Sequence, residues 1–183
     1  MEPAEIMARA RRIKLVLTDC DGVLTDGGVY YSERGEEMKR FNIRDGMGVE
    51  RLRQRGVVTG IVTGEISPSV AKRAAKLQIT ELHLGIKDKA TLLASILARL
   101  GLLAEEVAFI GDDTNDVEVL GLVGLAACPG DATVFARQVS HYHCTAFGGH
   151  GCFRELAELI IASQAPVGAG ELASTAAQHS GPG

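Results

Sequence analysis

The chain has no tryptophan, and aromatic residues make up only 4% of its 183 positions. Its core must therefore be filled by Val, Ile, Leu and Ala, which suits apolar parallel strands covered by helices. Cysteine is scarce as well: Cys20, Cys128, Cys144 and Cys152 form no C-x-x-C pair. That spacing argues against a disulfide scaffold, and four reduced, mostly buried thiols are expected. No apolar run reaches the length of a membrane span, and "MEPAEIMARARRIKLVL" lacks the apolar stretch and small-residue cleavage site of a secretory signal. The location expected is the cytoplasm. Positive charge is not in excess either: the formal net charge is -4 and the Lys and Arg residues are scattered, so the footprint of a nucleic-acid binder is missing. A small molecule is the expected partner, with no nucleic acid and no membrane.

What is present is an alternation of apolar runs and helical patterns. Strands are expected at Ile13 to Thr18, Val57 to Val62, Glu81 to Leu84, Val107 to Ile110 and Leu125 to Ala127. Helices are expected at Gly46 to Arg55, Pro68 to Leu77, Lys87 to Leu100 and Thr114 to Leu120, with Gly56 and Gly101 as stops. The pattern is that of an α/β protein with a doubly wound parallel sheet, one domain over residues 1–164. One segment, "GGVYYSERGEEMKRFNIRDG", breaks the alternation and reads as a β-hairpin over about residues 28–42, projecting from the sheet. Residues 165–183 are small and polar without periodicity and read as a disordered tail.

The polar groups fall where the strands end. "LTDCDGVLTDGG" puts Asp19 and Asp21 after the first strand, "IVTGE" puts Thr63 and Gly64 after the second, and "FIGDDTND" puts Asp112 and Asp113 after the fourth. Lys89 in "GIKDKA" opens the helix after the third. In an open α/β sheet the carboxyl ends of the strands form the ligand crevice, so these groups can converge. Two unit charges about 4 Å apart at an effective dielectric of about 20 interact by roughly 4 kcal/mol. Clustered acids facing a phosphate therefore need a cation among them, and hard oxygen ligands suit Mg²⁺. A single Asp after a strand is ordinarily a turn former, and Asp26 alone reads that way.

The four stretches "TDCDGVLTDG", "VTGE", "KDK" and "GDDTND" resemble the motifs of the haloacid dehalogenase (HAD) superfamily of phosphotransferases, over about residues 13–163. "GGVYYSERGEEMKRFNIRDGMG" and "GGHGCFRE" resemble more narrowly its small capless members, which act on phosphorylated ulosonic acids. The resemblance implies a Rossmann-like HAD fold without a cap domain and a homotetramer in which neighbouring subunits cover the active site. It implies Asp19 as nucleophile and Asp21 as the acid and base. Asp19, the backbone carbonyl of Asp21, and Asp112 would hold Mg²⁺, and Thr63, Gly64 and Lys89 would bind the phosphoryl group. Asp113 and Asp116 would support from behind, ordering metal-bound water or orienting Lys89.

The substrate reading is divided. Glu65 and Lys76 resemble the enzymes of 2-keto-3-deoxynononate 9-phosphate, where they would bind substrate, whereas "FNIRDGMG" looks like those of 3-deoxy-D-manno-octulosonate 8-phosphate. The nine-carbon ester is the expectation and the eight-carbon ester the alternative. Glu65 and Lys76 also read as ordinary helix-terminus charges.

Other signals read more plainly. His141 and His143 form a surface pair rather than a zinc site, Cys20 points into the core, and Arg34, Lys39, Arg40 and Arg44 on or after the hairpin are solvated. "GGHGCFRE" either covers the active site or is a loop and helix start. A receiver domain would need its acceptor Asp after the third strand, where "ELHLGI" has none. A catalytically idle binding module would be expected to lack Asp19 or Asp21.

Overall fold

The computed structural model describes residues 1–165, so the tail reading lies outside the described residues from position 166 onward. Six parallel strands form one sheet: β1 (Leu15–Thr18), β4 (Val58–Val62), β5 (Glu81–His83), β6 (Val107–Ile110), β7 (Leu125–Cys128) and β8 (Tyr142–His143). Their order is β5-β4-β1-β6-β7-β8. After β1 the chain builds outward through β4 and β5, then returns to the other side of β1 and builds outward through β6, β7 and β8. That reversal places the switch point of the sheet at the carboxyl end of β1, where such folds bind ligands.

Alternation along the strands fills both faces. Val16, Ile61, Ala108, Ile110 and Leu125 face one layer, with Val49 and Leu52 of α2 (Ile43–Gln54) and Phe153, Leu156 and Ile160 of α7 (Cys152–Gln164). Leu15, Leu17, Val62 and Phe109 face the other, with Leu93 and Ile96 of α4 (Lys89–Leu100) and Val119 and Leu120 of α5 (Val117–Leu120). Each Val, Leu, Ile or Phe among them stabilises the fold by about 2 kcal/mol when fully buried. The "RDGMG" stretch has a packing role: a Cβ on Gly48 would stand 3.2 Å from the Arg154 Cα, and Asp45 accepts from the Arg154 N–H at 2.9 Å, so α2 and α7 lie close and tied.

Several helix bounds differ from the sequence expectation for local reasons. The first expected helix starts at Ile43 rather than Gly46 because Asn42 caps it, accepting from the Arg44 N–H. The third starts at Lys89, capped by Asp88, and ends at Gly101 in the left-handed region. The segment Thr114 to Leu120 splits into a 3₁₀ turn, Thr114–Asp116, and the short α5. Helix α3 (Pro68–Lys76) is capped by Ser67. Helices α1 (Pro3–Ala10) and α6 (Val134–Val139) have no counterpart in the sequence reading.

The hairpin is present as β2 (Val29–Ser32) and β3 (Gly35–Lys39), a two-stranded antiparallel ribbon apart from the main sheet with an irregularity between Tyr30 and Tyr31. Val29, Tyr30, Tyr31 and Met38 are exposed on it. No cap domain is found among the described residues, and no helix there is long and apolar enough to cross a membrane. All four cysteines are free and buried, Cys20 in the core as expected.

Candidate active site

At the end of β1 the ladder continues one residue further, with the Asp19 N–H donating to the Ile110 carbonyl at 2.9 Å, and then the chain turns. Gly22 makes the turn possible. Its φ is +82°, and a Cβ there would lie 2.1 Å from Asp112 Oδ2. Behind this loop, Gly148 and Gly149 of "GGHG" pack against it: a Cβ on Gly148 would stand 2.0 Å from the Gly22 carbonyl oxygen, and one on Gly149 2.5 Å from the Asp26 nitrogen. The glycine pair thus buttresses the Gly22–Asp26 loop from behind.

Asp19, Asp112 and Asp116 converge, offering carboxylate oxygens within 4.8 Å of one another. Lys89 Nζ donates to Asp116 Oδ1 at 2.6 Å and lies 3.0 Å from Asp19 Oδ1. Asp19 Oδ1 thus keeps the Lys89 charge beside it but no well-aligned hydrogen bond. Asp116 is fully engaged, since its Oδ2 accepts from the backbone N–H groups of Asp112 (3.0 Å) and Asp113 (3.4 Å). Gly111 leaves room for it: a Cβ there would meet Asp116 Cγ at 2.5 Å. Asp113 is turned to the Thr114 N–H at 2.6 Å, capping the 3₁₀ turn.

The electrostatics follow from this crowding. Burial, then repulsion from Asp116, pushes the Asp19 pKa up to about 6. Burial, then Asp19, Asp116 and Asp113, pushes Asp112 up to about 8. Burial works against the Lys89 ammonium, but Asp19 and Asp116 outweigh it and hold its pKa above the ordinary lysine value. Three acids around one lysine, with a buried Asp19 oxygen lacking a hydrogen bond, fit a hard divalent cation held through carboxylate oxygens. Because both Asp116 oxygens are occupied, Asp19 and Asp112 are the carboxylates left to hold it.

Asp19 and Asp112 open onto a cleft of about 350 Å³ lined also by Asp21, Thr63, Gly64 and Glu65, whereas Lys89 and Asp116 are buried and not among its lining residues. Thr63 is buried at its floor, its N–H donating to the His83 carbonyl and its carbonyl accepting from the Ile86 N–H. Lys76 is not among the lining residues; it lies exposed in the last turn of α3. Asn115 and Lys87 also line the cleft, and sequence reasoning missed both. Lys87 Nζ donates to the Gly64 carbonyl at 3.1 Å.

Lys39 corrects an expectation. Far from being solvated, its side chain is 1% exposed, and Nζ donates to Asp21 Oδ2 at 2.6 Å. Burial disfavours its charge, but the Asp21 hydrogen bond and charge hold its pKa above the usual value. Arg40 instead meets Asp26 at the surface. His141 accepts from the Ala126 N–H and His143 lies 2.9 Å from the Arg137 carbonyl oxygen, and neither belongs to the acidic cluster.

A sheet with its switch point at an acid-lined cleft, with a lysine and a threonine from neighbouring strand ends, defines a Rossmann-like phosphotransfer fold. Residues 43–124 match the family model for haloacid dehalogenase-like hydrolases. The chain belongs to that family, on its KdsC phosphatase branch, as a phosphoric monoester hydrolase. It is 38% identical over 160 residues to the 3-deoxy-D-manno-octulosonate 8-phosphate phosphatase KdsC of Yersinia pestis, covering 87% of this chain and 86% of that one. The KdsC of Haemophilus influenzae is 34% identical over 156 residues, covering 85% and 87%. Among solved structures, the 3-deoxy-D-manno-octulosonate 8-phosphate phosphatase of Moraxella catarrhalis, in complex with magnesium ion, phosphate ion and a KDO molecule, superposes with a TM-score of 0.87 at 34% identity, covering 98% of this chain and 100% of that one. These relatives carry the eight-carbon name, so they fit the eight-carbon alternative better than the nine-carbon expectation.

Proposed function

We propose that the chain is a Mg²⁺-dependent phosphatase of 3-deoxy-D-manno-octulosonate 8-phosphate. The observation that carries the chemistry is the buried carboxylate cluster of Asp19, Asp112 and Asp116 around Lys89 at the end of β1. The substrate rests on the relatives' names.

In the proposed reaction an Asp19 oxygen forms a bond to phosphorus as the ester P–O bond breaks, and the Asp21 carboxyl gives its proton to the leaving alkoxide. Water then attacks the aspartyl-phosphate. Its proton passes to the Asp21 carboxylate, the bond to Asp19 breaks and inorganic phosphate leaves. Thr63, Gly64 and Lys89 hold the non-bridging oxygens, and Asp116 keeps Lys89 in place through the 2.6 Å bond. Asp113 supports this end of the cleft by capping the turn that carries Asp116. Asp19, Asp112 and the Asp21 carbonyl would hold Mg²⁺, which when bound neutralises phosphoryl charge.

Glu65 lines the cleft and is assigned to the sugar hydroxyls. Lys76, exposed on α3, would reach substrate only from a neighbouring subunit of a homotetramer. The exposed apolar side chains of β2 and β3 are the surface proposed for that assembly. Residues 1–164 would act as one catalytic domain, and four free thiols suit the cytoplasm.

The test is phosphate release by the purified protein from the eight-carbon, nine-carbon and sialic acid phosphates, with Mg²⁺ and with EDTA. The expected result is the highest kcat/KM for the octulosonate ester and none with EDTA. Glu65→Ala should raise KM more than it lowers kcat. Preference for the nine-carbon ester would return the assignment to Glu65 and Lys76.

A further inference from the structure

The polarity of β3 is inverted. Met38 faces solvent, whereas Glu36 is half-buried and Lys39 is buried. A lysine placed in a ribbon's inner face is costly unless every donor direction there has a use. Here the use is specific. Lys39 Nζ donates to Asp21 Oδ2 at 2.6 Å and lies 3.5 Å from Glu36 Oε2. Glu36 accepts from the hydroxyl of Ser67, the residue that caps α3 by accepting from the Val70 N–H. The other Asp21 oxygen, Oδ1, accepts from the Thr25 hydroxyl at 3.3 Å.

A polar strut therefore runs from the start of α3, through two residues of the hairpin, to the side chain that lines the cleft. The Asp21 side chain remains 25% exposed toward that cleft. Without Lys39 its carboxyl would keep only the longer Thr25 bond and could rotate away from a bound ester.

We infer that Lys39, braced by Glu36 and Ser67, is a positioning residue that fixes the Asp21 carboxyl in the orientation from which it serves the leaving group. This rests on the reading of Asp21 as the group that protonates the departing oxygen. It gives the hairpin a part in the chemistry within its own subunit.

An orientation role makes a selective prediction. A sugar alkoxide is a poor leaving group and needs a well-aimed proton, whereas p-nitrophenolate leaves without one. Because kcat/KM covers only the steps up to loss of the alcohol, it is insensitive to hydrolysis of the phosphoenzyme. In Lys39→Met, kcat/KM for octulosonate 8-phosphate should fall by roughly tenfold to a hundredfold, within the range of a general acid's contribution, while kcat/KM for p-nitrophenyl phosphate should change by less than about threefold. Lys39→Gln keeps a donor in the buried slot, serves if the Met variant does not fold, and should show the same selectivity at smaller amplitude. Asp21→Asn is the benchmark. If it discriminates between the two esters and the Lys39 variants lose both equally, or lose neither, the positioning role is overturned while Asp21 stands. If Asp21→Asn itself does not discriminate, the reading of Asp21 falls and this inference with it.

Discussion

At the scale of single residues, the site stores unfavourable charge. Asp19 and Asp112 titrate at about 6 and about 8, above an ordinary aspartate. Between about pH 4 and pH 8 the metal-free native state thus keeps protons that the unfolded chain has released, so these two groups give full stability at low pH and lose it as pH rises. Carboxylates with lowered pKa values, such as Glu158 beside Arg51, act in the opposite direction, so the effect is isolated by comparison with Asp112→Asn. Without divalent cation, thermal unfolding should find that variant's advantage over wild type small near about pH 5 and much larger near about pH 8. Added Mg²⁺, competing with protons for the same oxygens, should raise the wild-type Tm more at the higher pH and leave Asp112→Asn little changed. A variant less stable than wild type at both pH values would contradict this account. The acids themselves were legible in the sequence, because each follows an apolar run and such runs end at one edge of a parallel sheet. Lys39 was not, since only the inverted polarity of "GEEMK" marks it and burial of its ammonium depends on Asp21, 18 positions away.

At the scale of elements, the two loops that meet behind the site matter as much as the strands that lead into it. Gly148→Ala would press a Cβ onto the Gly22 carbonyl at 2.0 Å, and backbone stands there on both sides. The loop after β1 must shift, at an overpacking cost of about 1–3 kcal/mol. A lower urea midpoint and a reduced kcat are expected together. Unchanged kcat would show that the Gly148 contact does not position the Asp19–Asp21 loop. The strands were readable from apolar runs and α4 from its periodicity with a closing glycine. Helix α1 was not, because it is only 8 residues long and among them only Ala10 is buried. For "GGHG" a cover over the active site or a plain loop was legible, but its place behind the Gly22–Asp26 loop was not, because that contact joins loops more than a hundred positions apart.

At the scale of the whole molecule, the doubly wound parallel sheet followed from the alternation of strands and helices, and its strand order, with β1 inside, brings four distant motifs to one cleft. Substrate choice was less legible: Glu65 in the cleft and Lys76 on an exposed helix end outweighed the stretch "FNIRDGMG", which lies at the start of α2 beyond the hairpin, and the relatives side with that stretch. The proposed assembly rests on Tyr30 and Tyr31, 58% and 70% exposed on a ribbon that is marginal alone in water. Light scattering should find a tetramer, and Tyr31→Glu with Met38→Glu should give smaller, less active species. A fully active wild-type monomer would refute the proposed assembly. The central claim is that Asp19 carries the phosphoryl group. Its most direct test is an acid quench of the working enzyme during turnover of octulosonate 8-phosphate, followed by peptide mass spectrometry. The account predicts one added phosphoryl group on the peptide containing Asp19, absent in Asp19→Asn. Turnover with no acyl-phosphate, or with the group on another residue, would contradict it.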